Sequence, residues 1–513
     1  MNSGIDSIDL IKEKAFEIVS ESKSKLQHCD YIDVRVGAHH IKSATAERGV
    51  AKSSSDETDL SLGIRVIAGD KMLASGFSGR FLGRGDFNKF DNILKESIEK
   101  AHRRALVNSE WKNKIKSSLG DLGDSIRSTN LGNIDIYKDV IKVPFEQNPE
   151  TTSLDKIVNE SVLISKNIEE QYSKNGYNVV ALSTEIIREL FVSSEGAFID
   201  QIFPLTEGFV YVLVGDEYNY DQLGAQGGWE VLEGKNVFNT DIKQFATNLT
   251  AETIETSKAE IIEPPEKEVV VVTDPHFNAL VVHEIVGHPV EADRALKMET
   301  AYAGRSWLLT NLQENQIGKR VATGLVTAYS DSNINGYGYY GYDSEGVKGK
   351  RIVHIENGIF RGFLNSRESA VILNEEPNGA MQTSGSHYIP VVRMTNTVFA
   401  PGTSKTEDII KEVDSGYYLQ GHHTPSIGES RENFSISARR ISKIEKGEIV
   451  KTYRSGGITS DSKKYLMSID AVGNDFILYP MPNCGKGQPM QVKRVGNGGP
   501  TMRGIAKLTG GKK

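Results

Sequence analysis

Residues 279–294, Ala-Leu-Val-Val-His-Glu-Ile-Val-Gly-His-Pro-Val-Glu-Ala-Asp-Arg, constrain this chain more than any other stretch. They bring His283, Glu284 and His288 together and place Glu291 and Asp293 close behind. Two imidazoles can hold a divalent metal, and a neighbouring carboxylate can take a proton from water that the metal has acidified. In the usual zinc-peptidase helix the histidines are four residues apart, one turn along one face. Here they are five apart. At 3.6 residues per turn, the second imidazole then falls about 140° around the axis from the first. A regular helix cannot aim both at one ion. A single π-bulge absorbs the extra residue, and such bulges gather at functional sites. Gly287 and Pro289 flank His288 and make that distortion feasible. Pro289 also lacks an N–H and disfavours α geometry at His288, so a helix that ends or kinks there is the alternative. On this pattern alone, a metal site and a pair of ordinary helix or buried histidines stay equally open.

The segment before it is arranged to deliver such a helix. Lys267–Thr273 carries four consecutive valines and reads as a buried strand. Asp274 then offers a cap, and Pro275 sits at the first helical position. Just upstream, Glu263-Pro-Pro-Glu266 marks a boundary. It divides an N-terminal domain, residues 1–264, from a C-terminal domain, residues 265–513. With 513 residues, more than one core is expected.

The fold class expected is α+β. In the N-terminal domain, residues 5–27, 87–106, 152–173 and 235–259 show helical spacing, with Ser153 as a cap. Residues 31–36, 40–52, 59–67, 72–77, 179–189, 190–201 and 208–214 read as strands, while 108–150 and 218–228 read mostly as loop. The C-terminal domain is expected to be largely antiparallel β, barrel-like or a sandwich, carrying the metal-binding helix. Its hairpin signals are Glu356-Asn-Gly358 and Lys446-Gly447-Glu448. The run Gly336–Tyr342 is a glycine–aromatic loop, either packing or a wall beside a peptide channel.

Composition narrows the function classes. A net charge of −8 argues against a nucleic-acid binder. No apolar run is long enough to span a membrane, and the first residues lack a signal-peptide core. A cytoplasmic protein is expected. Only Cys29 and Cys484 occur, so a disulfide framework is excluded. Cys29 reads as a small buried hydrophobe.

A catalytic zinc ion takes three protein ligands and a water. The candidates for the third ligand are Glu291, Asp293, His276, His387, His422, His423 and Cys484. Local spacing favours Glu291. Cys484 is the better choice: it lies in Pro482-Asn-Cys-Gly-Lys-Gly487, where glycine lets backbone approach closely, and thiolate is a strong zinc ligand that Lys486 could keep ionised. A buried structural thiol is the alternative.

HEIVGHPVEAD is similar to the HExxxH segment of the TldD/PmbA family of metallopeptidases. GYDSEG (341–346), VVRMTNT (391–397) and MPNCGKGQ (481–488) resemble that family's other landmarks, in the same order. The resemblance spans most of the chain and is densest from about residue 268 onward. It implies the TldD-type branch, which keeps the metal motif that the PmbA (TldE) branch lacks. It further implies Zn2+ held by His283, His288 and Cys484, with Glu284 as general base. Glu291 and Asp293 would orient the imidazoles, and Arg393 and Asn396 would either bind substrate or serve the structure. Family members form dimers around an enclosed site. The resemblance thus implies unfolded peptides as substrates, and either a homodimer or a heterodimer with a PmbA/TldE-like chain. Two rival readings remain: a metal-dependent amidase acting on small molecules, and a non-enzymatic scaffold or regulatory partner.

Overall fold

The computed structural model describes residues 4–119, 126–172, 175–299, 304–309, 311–312 and 315–511. Its N-terminal half is built on a seven-stranded sheet. Five strands form a continuous antiparallel series, Ala74–Phe81, Val50–Ala68, Cys29–Glu47, Gly176–Ser193 and Phe198–Val214. Glu217–Ala225 pairs antiparallel with Phe198–Val214, and Lys138–Lys142 adds to it in parallel. The segments read as separate strands at 31–36, 40–52 and 59–67 merge into two strands of 19 residues each, because both run on through polar residues that sequence alternation does not flag. Residues read as loop supply Lys138–Lys142 and Glu217–Ala225.

Successive residues of a strand point to opposite faces, and this sheet uses the two faces differently. Ile32, Val34, Val36 and Ala38 face the helices Lys12–Lys25 and Phe90–Ser118, while Val180, Leu182, Val210 and Val212 lie under Leu154–Glu169 and Ile242–Ser257. Ser153 caps the third of these helices and Asp241 the fourth, so the helix expected from 235 starts later, at Ile242. Cys29 packs at the edge of this core. The opposite face is polar and meets the C-terminal half: Arg65 pairs with Glu345 at 2.6 Å, and Arg494 with Glu207 at 2.8 Å.

The C-terminal half contains a closed ring of five strands. Ser415–Ile427, Val269–Thr273, Met502–Gly510, Gly456–Asp461 and Asn433–Glu445 pair in that order, and the last pairs back to the first. Only Ser415–Ile427 against Val269–Thr273 is parallel within the ring. A second, six-stranded sheet contains Asn396–Phe399, Gln491–Gly499 and Ile477–Lys486. Both expected two-residue hairpins form, with Asn357-Gly358 and Lys446-Gly447 in left-handed conformation, as such turns require. The helix Pro275–Val282 leaves the barrel strand Val269–Thr273, is buried at every position and packs against both sheets. The chain is therefore a mixed helix–strand protein in which strands outnumber helices.

Candidate metal centre

The metal helix starts as its sequence dictates. The Asp274 carboxylate accepts the Phe277 N–H at 2.7 Å, and Pro275 occupies the first turn. From His283 to Gly287 the backbone widens into one π-turn, and the His288 N–H reaches the His283 carbonyl at 3.1 Å, five residues back. The extra residue in HExxxH is taken up there. The imidazoles of His283 and His288 consequently face each other edge to face, with centroids 4.7 Å apart. A Cβ on Gly287 would lie 2.9 Å from the Met394 thioether, the flexible end of that side chain.

Cys484 completes the group. The ligand atoms of His283, His288 and Cys484 all lie within 4.8 Å of one another, and all three residues are buried. Cys484 Sγ is 4.0 Å from His288 Nε2. Ligand atoms on a tetrahedral zinc shell are separated by roughly 3.5 Å, so these side chains fit a zinc ion with small adjustments. Among the described residues this is the one His/Cys/Asp/Glu group of that kind.

Each imidazole is oriented from behind. His283 Nδ1 meets Asn497 Oδ1 at 2.8 Å, and the Asn497 amide nitrogen donates to the Thr397 carbonyl at 3.1 Å. That fixes which end of the amide faces the ring, makes Nδ1 the donor and leaves Nε2 free for a metal. His288 Nδ1 meets Glu291 Oε2 at 3.2 Å, leaving its Nε2 toward Cys484. Glu291 thus sits on the far side of His288 from the thiol. Asp293 reaches neither imidazole: it accepts from Lys486 Nζ at 2.6 Å and from the Val392 N–H at 3.1 Å.

The cation serving Cys484 is not the adjacent Lys486, which is fully buried between Asp293 and Glu291. Burial pushes the Cys484 thiol up, but Arg393 and the two imidazoles outweigh it and hold the thiol well below its ordinary value. Arg393 is itself fully buried, bonding the carbonyls of Cys484 and Gln491. Asn396 is likewise spent inside the chain, on the carbonyls of Asp331 and Ile334 and the Gly338 N–H. Glu284 is buried and ion-paired with Arg431. Burial opposes its charge, but Arg431 and the two histidines outweigh that and keep the carboxyl below its usual range.

The remaining histidines lie elsewhere. His276 and His422 stack at 4.4 Å, His423 bonds Asn219 at 2.9 Å, and His387 packs on Phe81 at 4.2 Å. The glycine–tyrosine loop joins the halves: Tyr337 donates to Glu207 and Tyr342 to Asp139, each at 2.8 Å. Tyr337, Tyr339 and Tyr340 also line a cavity of about 250 Å3 beside Glu185 and Arg494. Sequence reasoning missed Asn497 and Arg431. Neither stands in a recognisable spacing from the helix, so no local signal could have found them.

Comparison with known proteins identifies the family. Residues 266–506 match the PmbA/TldA metallopeptidase C-terminal domain, and residues 147–257 match the central domain of the same family. A metalloprotease of Methanocaldococcus jannaschii is 27% identical over 489 residues, covering 94% of this chain and 97% of that protein. A zinc metalloprotease TldD homolog of Saccharolobus solfataricus is 29% identical over 271 residues, covering 52% of this chain and 56% of that protein. In fold, the crystal structure of TldE from Thermococcus kodakarensis aligns with a TM-score of 0.68 at 20% identity, covering 97% of this chain and all of that one. No helix of the described residues is long and apolar enough to cross a membrane. With two domain matches covering most of its length and a buried His-His-Cys group within the C-terminal one, this chain belongs to the PmbA/TldD metallopeptidase family.

Proposed function

We propose that this protein is a zinc-dependent peptidase of the TldD-type branch that hydrolyses unfolded peptides. The observation that carries the reading is the convergence of His283, His288 and Cys484 within 4.8 Å, next to Glu284. A zinc ion held by the two Nε2 atoms and the thiolate would supply Lewis acidity and an acidified water. The chain's own residues do the rest. Asn497 and Glu291 fix the imidazoles, and Arg393 stabilises the thiolate. Glu284, kept ionised by its surroundings, takes a proton at its carboxylate and hands it to the leaving amine. The site's burial supports peptides over folded proteins as substrates, because only an extended segment could be threaded to it. The naming of relatives as metalloproteases supports protease over small-molecule amidase. The partner in this reading is a PmbA/TldE-like chain, and a homodimer is the alternative. Two free cysteines, with no disulfide, agree with a cytoplasmic setting. The domains of this reading are residues 1–264 and 265–513.

The deciding experiment is the metal content of purified wild type, His283→Ala and Cys484→Ala, followed by hydrolysis of an unstructured peptide. About one zinc per chain in wild type, lost in both variants, with peptide turnover abolished by Glu284→Gln, is expected. A wild type that takes up no metal after zinc loading would overturn the reading and favour the scaffold.

A further inference from the structure

Glu284 is not free in the fold. Nη1 of Arg431 donates to its Oε2. Arg431 stands in the turn between the barrel strands Ser415–Ile427 and Asn433–Glu445, with a left-handed φ of 64°. Holding a non-glycine residue there costs about 1 kcal/mol or more, and such positions persist only where surrounding contacts impose them, often at active sites. Those contacts are present. The Arg431 N–H bonds the Gly428 carbonyl at 3.0 Å, and its carbonyl accepts the Ser462 hydroxyl at 2.6 Å. The neighbouring Ser430 carbonyl accepts the Trp307 N–H at 2.8 Å, and the Trp307 indole donates to the Ile285 carbonyl, inside the π-turn, at 3.2 Å. The turn is thereby tied to the metal helix. The Arg431 side chain is only 9% exposed, and its Nε has no hydrogen-bond partner. A buried guanidinium with a spare donor is therefore delivered beside the carboxylate that follows the first metal ligand.

A cation whose sole task was to pin Glu284 would only weaken that carboxylate as a base. The charge flow of the reaction suggests another task. As Glu284 takes a proton it loses its negative charge, and the carbonyl oxygen of the bond under attack gains one. Donors fixed where that charge develops lower the barrier more than any ground-state contact does. We propose that Arg431 is a catalytic residue, resting on the peptidase reading above. Its guanidinium pairs with Glu284 in the resting enzyme and with the oxyanion of the scissile carbonyl as Glu284 is neutralised. Arg431 stays protonated throughout, and no bond to it forms or breaks; only its partner changes.

The test uses the zinc-loaded full chain with Arg431→Gln and Arg431→Lys. Zinc content, kcat and KM for an unstructured peptide, and the Kd of a peptide phosphinate, a tetrahedral anionic mimic, are measured for each. Arg431→Gln is expected to keep its zinc and its KM, to lose about 10²–10³-fold in kcat, and to weaken phosphinate binding by a similar factor. Arg431→Lys should recover part of both. If Arg431→Gln fails to fold or drops its zinc, the graded effect of Arg431→Lys carries the test. An unchanged phosphinate Kd would overturn the proposal. So would a parallel rise in KM confined to peptides with a free C-terminal carboxylate, which would make Arg431 a carboxylate anchor. A zinc-loaded wild type that neither cleaves peptide nor binds phosphinate would instead overturn the peptidase reading itself.

Discussion

Asn497 and His283 lie 214 residues apart in sequence, yet the side-chain oxygen of one meets Nδ1 of the other at 2.8 Å. The strand Gln491–Gly499 brings the amide against the metal helix, and a second bond from that amide to the Thr397 carbonyl stops it from flipping. His283 is thus presented with one tautomer and one ring orientation. Partners of this kind are worth about 10–100-fold in metal affinity. Asn497→Ala should therefore keep its fold and lose zinc to a competing chelator at a concentration lower by about that factor. Identical chelator titrations for variant and wild type would remove Asn497 from the site.

On the proposed mechanism, a change at Glu284 separates metal binding from chemistry. It is not among the three convergent ligands. Glu284→Gln should retain about one zinc per chain and lose about 10²–10⁴-fold in peptide turnover, the usual contribution of a positioned acid–base group. Turnover within a few-fold of wild type would assign the proton transfer elsewhere.

Lys486 should behave as a stability residue rather than as a partner of the thiol. Its ammonium is fully buried between Asp293 at 2.6 Å and Glu291 at 3.2 Å. Removing one member of such a group leaves uncompensated charge in the interior, at a cost of about 3–5 kcal/mol. Lys486→Met should show that loss in chemical denaturation at neutral pH. A loss below about 1 kcal/mol would mean that water reaches the two carboxylates.

A pH effect follows from His354. Its ring is fully buried, with Nε2 2.8 Å from the Ser330 hydroxyl and Nδ1 3.1 Å from the Gly362 carbonyl. Burial pushes its imidazole down to about 4 from the ordinary 6.5. The unfolded chain therefore takes up a proton between those values while the folded chain does not. This makes His354 cost nothing above the ordinary value and draws stability away as pH falls from about 6.5 to about 4. His423, pushed by burial down to about 3, acts in the same direction. The melting temperature of wild type should drop more steeply over that window than that of His354→Gln. Parallel curves would show that His354 does not contribute.

Much of the local structure was legible in the sequence because local rules decide it. A five-residue step from one histidine to the next requires a π-turn if both are to face one ion, and the helix supplies it at His283–Gly287. Asp274-Pro275 dictates a helix start, and Asn357-Gly358 and Lys446-Gly447 dictate tight hairpins. The long N-terminal strands were read in pieces because polar stretches of Cys29–Glu47 and Val50–Ala68 carry no apolar alternation; their pairing partners, not their own residues, make them strands.

By itself the sequence determined a capped helix start, a histidine spacing that a π-bulge or a helix end could accommodate, and a short set of possible third ligands. The tertiary structure brings Cys484, of that set, together with the two histidines. Glu291 is nearer to His288 in sequence, but the turn that follows the metal helix places it on Nδ1, whereas the strand Ile477–Lys486 carries Cys484 to Nε2. The fold also exchanged the expected roles of Lys486 and Arg393, and it recruited Asn497 and Arg431 from strands and turns whose spacing from the helix is unconstrained. The physical reason is one of range. Backbone periodicity and capping act over a few residues and can be read from the order of side chains, whereas sheet pairing and barrel closure bring together residues hundreds of positions apart, and only packing selects which of them meet.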